Sequence, residues 1–172
     1  MIVRIFDISD GKVVPSEHCY AVGALKSVMD KFPDNFLQVY QYVFYMTCPN
    51  PELNPFANIA EDDKESMVIR EIGINFSLDD STITTALEFC SQVYDTPTSR
   101  AYRAIKIMLD NLSTYMSETK FTHGRDGSIG GLIRAGKDFD DIRKSYKGIY
   151  SDFMDEQKSR VRGGSELAYD QK

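Results

Sequence analysis

The stretch LIRAGKDFDDIRKSYKGIYSDF, residues 132–153, decides the fold. Within it Leu132, Ala135, Phe139, Ile142, Tyr146, Ile149 and Phe153 follow one another at alternating spacings of three and four. Those spacings put all seven on one stripe of a helix, an a/d seam sustained over several turns. The pattern predicts a single helix over 128–160. At ~1.5 Å per residue it is about 50 Å long, more than a compact domain needs. Part of it is therefore expected to project or to pack on another chain.

Working outward, the N-terminal side of this helix is a glycine-rich joint from Phe121 to Gly131. Before it, Pro97 opens a helix to about Met116 with Ala101, Ile105, Met108, Leu112 and Met116 on its stripe. Ser77 or Asp79-Asp80 caps an earlier helix in which Ile83, Ala86, Leu87, Cys90, Val93 and Tyr94 recur at helical spacing. Glu61-Asp62-Asp63 opens a helix to about Ile72, carboxylates being stabilised in a first turn by the helix dipole. The segment PNPELNPFAN, residues 49–58, is a proline-punctuated loop, and Phe36 to Thr47 before it is apolar nearly all round. That marks a central, buried helix. Ser16 is expected to cap a first helix to Lys31, with Ala21, Leu25, Val28, Met29 and Phe32 on one side.

At the N-terminus, Ile2, Val3, Ile5 and Phe6 precede Ser9-Asp10-Gly11-Lys12 and Val13-Val14, a hairpin signal. So small a hairpin must lie on the helices or on a neighbour. The class is mainly α: a helical bundle of about six helices with a short N-terminal β-hairpin and an extended C-terminal tail. The expected organisation is one helical domain over 1–160, with a hairpin arm over 1–15, and a tail over 161–172.

Composition narrows the function. Twenty Lys and Arg against 26 Asp and Glu give a net charge of −6, which disfavours a free-standing nucleic-acid module. Cys19, Cys48 and Cys90 are scattered, so neither a disulfide framework nor a zinc site is suggested. The start, MIVRIFDISDGKVVP, lacks a basic leader followed by an apolar stretch, and Val39 to Met46 is too short to span a bilayer. A cytoplasmic site of synthesis and no membrane are expected.

No motif carries catalysis. His18-Cys19 offers a base beside a thiol but no third orienting group. Residues 124–131, GRDGSIGG, lead into a helix yet lack the Gly-Lys-Ser/Thr ending of a phosphate loop, so they read as a hinge with Asp126 or Ser128 as cap. Glu61, Asp62, Asp63, Glu65, Asp79 and Asp80 lack the calcium-loop spacing. The expectation is no catalytic residue, no metal and no cofactor. Lys158, Arg160 and Arg162 end the last helix, where they suit its dipole or dock an acidic partner.

The stretch from Tyr42 to Pro51 (YVFYMTCPNP), Asn54-Pro55-Phe56-Ala57-Asn58, Glu61 to Glu65 and the closing Val161-Arg162-Gly163-Gly164 with Ala168-Tyr169-Asp170-Gln171 resemble proteins from the structural gene module of crAss-like tailed bacteriophages. The resemblance covers about a quarter of the chain. It implies a virion protein of the head–tail region, a ring or adaptor bound to the portal protein and other tail or ring proteins. It further implies a homo-oligomeric, twelve-fold ring, made in the bacterial host cytoplasm, with extended ends as grips. Arg160, Arg162, Leu167 and Tyr169 are the protein-binding residues expected on that reading, with passive contact to packaged DNA if the basic end faces the channel. The rival is a small cytoplasmic helical scaffold or regulator that binds another helical protein.

Overall fold

A computed structural model describes residues 5–9, 12–120, 122 and 128–161, with side chains in the last helix described as far as Gln157. The chain is mainly helical. A hairpin of β1 (Phe6–Ser9) and β2 (Lys12–Pro15) and a 3-10 turn (Glu17–Ala21) come first. Six helices follow: α1 (Gly23–Lys31), α2 (Phe36–Thr47), α3 (Glu61–Ile72), α4 (Ser81–Tyr94), α5 (Pro97–Glu118) and α6 (Ile129–Val161). Where one helical domain over 1–160 is the sequence expectation, the chain divides into two compact units. One holds the hairpin and α1–α4, the other is Pro97–Glu156. Of the tail expected over 161–172, Val161 still belongs to α6, while the remainder, and the β-prone Ile2 and Val3, lie outside the described residues.

In the first unit α2 is the hub, touching β2, α1, α3 and α4. Val39, Tyr40, Tyr42, Val43 and Phe44 are buried along it. It stops at Thr47 because Pro49, two residues on, cannot continue the ladder. The two strands pair antiparallel from Phe6↔Pro15 to Ser9↔Lys12. Too small to stand alone, the hairpin is fixed to α2: Phe6 packs its ring 5.7 Å from Tyr40 and 5.8 Å from Phe44.

Side chains tie the other helices to this hub. The Tyr40 hydroxyl donates to the Leu25 carbonyl at 2.8 Å, and the Tyr42 hydroxyl to Glu65 Oε1 at 2.7 Å. Lys64 Nζ donates to the Met46 carbonyl at 2.8 Å, satisfying an orphan acceptor at the end of α2. Burial of that ammonium lowers its pKa. Asp80 is the cap of α4: its Oδ1 accepts from the Thr82 N–H at 2.8 Å, and its Oδ2 lies 2.6 Å from Lys31 Nζ. The lysine first, then the backbone N–H, hold that carboxyl below its ordinary range.

The expected first helix from Ser16 to Lys31 is corrected. Ser16 makes no side-chain cap, the 3-10 turn occupies 17–21, and extended Val22 separates it from α1. The chain is already committed there, since the Ser16 N–H donates to the Ile5 carbonyl at 3.0 Å and continues the hairpin. Leu25 and Val28 are buried as expected, whereas Ala21 is exposed.

In the second unit α5 and α6 run antiparallel. Tyr102, near the start of α5, stacks on Phe153 with centroids 4.6 Å apart and also meets Tyr146 and Tyr150. At the other end a Cβ on Gly131 would lie 3.1 Å from the Tyr115 hydroxyl, so α5 and α6 approach each other there as well. The seam of α6 faces inward throughout: none of its seven residues is exposed, and Ala135 and Phe153 are buried. The joint between the helices is held by reciprocal bonds, Thr122 N–H to Ser128 Oγ at 3.0 Å and Ser128 N–H to Thr122 Oγ1 at 2.9 Å. The Ser128 hydroxyl also donates to the Lys120 carbonyl.

Candidate functional site

Of the residues expected to bind a partner, Arg162, Leu167 and Tyr169 lie outside the described residues, as does the side chain of Arg160. His123 and Asp126 of the joint lie outside them too. The structure brings other features forward.

The thiols are core groups. Cys19 is fully buried, while His18 beside it is exposed. Burial pushes the Cys19 thiol up to about 11, partly offset by its hydrogen bond with Tyr40. Burial also raises Cys90, to about 12. Thiols so far above neutrality carry almost no thiolate and are poor nucleophiles. Among the described residues no three His, Cys, Asp or Glu side chains are grouped to hold a metal, and no helix is long and apolar enough to cross a membrane.

The first feature is an apolar surface on the second unit. The stripe expected to face inward on α5 is only half right: Ile105 is buried, but Ala101, Met108 and Met116 are exposed. The inward row is Tyr102, Ile105, Leu109 and Leu112, none of them exposed. A second row, Ala101, Ala104, Met108, Asn111 and Tyr115, follows the same three–four spacing on the solvent side, with Ile107 beside it. Ile107 is 59% and Met108 52% exposed, and Ile133 on α6 is 59% exposed. Five of the eight exposed large hydrophobics among the described residues sit on this unit, so they are concentrated rather than scattered.

The second feature is a cleft in the first unit of about 580 Å³, lined by Ile8 and Val13 of the hairpin, Tyr45 of α2, Glu52, Leu53, Pro55 and Phe56 of the proline loop, and Glu71 of α3. Buried Asn54 shapes the loop side. Its Nδ2 donates to the carbonyls of Tyr45 at 2.8 Å and Cys48 at 2.6 Å, and its Oδ1 accepts from the Phe56 N–H at 2.9 Å. Phe56 is thereby set edge-on to Tyr45, centroids 5.3 Å apart. Burial first, and then the charge of Glu71, raise the Tyr45 phenol above its ordinary pKa. No sequence signal points to this cleft, because its walls come from four segments.

No protein family, no curated protein and no solved structure matches this chain.

Proposed function

We propose that the protein is a non-enzymatic structural component of a tailed-phage virion, a head–tail connector ring or adaptor that binds the portal protein or a neighbouring ring. The observation that carries the assembly reading is the second, outward apolar row on α5. A helix that presents apolar residues on two sides, one met by α6 and one left in solvent, is suited to a further neighbour. The particular assembly follows from the resemblance of the segments around Tyr42–Pro51 and Asn54–Asn58 to phage structural proteins. In a closed ring each subunit offers two different patches, so the outward row of one copy meets another surface of the next. Arg160, Arg162, Leu167 and Tyr169 act on this reading as the grip on the adjoining ring.

The mass of the purified chain by light scattering, alone and mixed with the portal protein, tests the proposal. A defined complex of about a dozen copies is expected. A monomer that ignores the portal replaces it with the scaffold or regulator reading, in which the same row meets one helical partner. A chain lacking residues 161–172 is expected to fold but to stay out of particles. Normal incorporation removes the tail from the grip.

A further inference from the structure

We propose that the cleft between the hairpin, the proline loop, Tyr45 and Glu71 receives an arginine side chain from a partner protein. Its floor is apolar, with Val13 and Phe56 buried, while two carboxylates, Glu52 and Glu71, stand in its lining. Neither has an ion-pair or hydrogen-bond partner for its carboxylate among the described residues. Asp80, by contrast, is met by Lys31 and Asp140 by Lys144. The cleft therefore presents uncompensated negative charge over a low-polarity floor, where an incoming cation is attracted more strongly than on an open surface.

The rest of the lining selects the kind of cation. Tyr45 and Phe56 supply aromatic rings, which attract a cation through their quadrupoles. A guanidinium suits the combination better than an ammonium. It is flat, weakly hydrated, stacks on rings and engages carboxylates through paired N–H donors. Its three-carbon stem would lie against Ile8, Leu53 and Pro55, as long cationic side chains do on apolar surface. The volume of 580 Å³ exceeds one guanidinium and leaves room for the residues flanking the arginine. Tyr45 and Glu71 line the same cleft, and the charge of Glu71 adds to burial in raising the Tyr45 phenol.

This assignment does not rest on the assembly reading, which is carried by α5, and the two fail separately. The test is an amide-shift titration of the isotope-labelled full chain with acetyl-Gly-Arg-Gly-amide and with the same peptide carrying citrulline, the neutral isostere of arginine. Saturable shifts centred on Tyr45, Glu52, Phe56 and Glu71 are expected from the arginine peptide, weakening with salt. The citrulline peptide is expected to bind about tenfold more weakly or worse, and E52Q/E71Q to lose affinity for arginine to a similar extent. Both glutamates are exposed, so the double variant should keep the parent's amide spectrum outside the cleft. Equal binding of the two peptides overturns the proposal. So do shifts centred elsewhere, no saturable shift, or full affinity in the folded double variant. The citrulline comparison on the unaltered chain decides the matter even if the variant folds badly.

Discussion

The two units of this chain solve the burial problem differently. The first gathers its buried apolar side chains, from Ile5 on the N-terminal edge to Cys90 on α4, into one cluster around α2. The second has a cluster of only Tyr102, Phe153 and Met154, with Tyr146, Ile149 and Tyr150 packed against it. It leaves Ile107, Met108 and Ile133 in solvent. Three helices and a hairpin can surround a central helix on every side. Two antiparallel helices cover one stripe of each other and no more. The first unit thus encloses its apolar side chains, and the second leaves a row of them exposed.

The contrast can be broken most forcefully in the first unit. Leu25 is fully buried against the hub, so Leu25→Ala is expected to cost about 2–5 kcal/mol in a urea unfolding curve. A loss below about 1 kcal/mol would mean that the cluster is loosely packed and the contrast overstated. A smaller effect comes from alkali. The folded Cys19 and Cys90 thiols lie above their ordinary values, at about 11 and about 12, so between pH 9 and these values the unfolded chain has released protons that the folded chain retains. Stability is complete well below pH 9 and falls as pH rises through it, by an amount on the order of 3 kcal/mol for the two thiols together by pH 10. Urea curves at pH 8 and pH 10 check this, and equal midpoints would show that the thiols are not held in a dry core. The smallest effect on folding belongs to the second unit. The pair Ile107→Ser and Met108→Ser should change the unfolding free energy by no more than about 0.5 kcal/mol each while lowering any self-association seen by light scattering. A large loss of stability would show that this row is already packed in the isolated chain.

Much of the fold is legible in the sequence where two signals coincide. Helix α2 runs from Phe36 to Thr47 as expected, because an apolar run ends there at Cys48-Pro49. Asp80 caps α4, and the α6 seam turns inward residue by residue. The misreadings occur where one signal admits two answers. Ser16 has the chemistry of a cap, but its backbone N–H is taken by the hairpin, a contact eleven residues back that local spacing does not register. On α5 the rows through Met108 and through Leu109 share a period, and only the ring of Tyr102 against Phe153 fixes which faces α6. The cleft was illegible for a related reason. Glu52 and Glu71 belong to a loop and a helix that become neighbours only after α3 packs on α2, and isolated glutamates at such positions read as solvated charge.

The paired bonds between Thr122 and Ser128 offer a place to label the protein. They clasp the chain on either side of residues 123–127, and Ser128 adds a third bond to Lys120. Length added inside such a clasp alters loop entropy only logarithmically and leaves the bonded residues untouched. A peptide epitope or a small fluorescent domain inserted after Gly124 therefore has a mount independent of both chain ends. It would report the protein's location without altering either terminus.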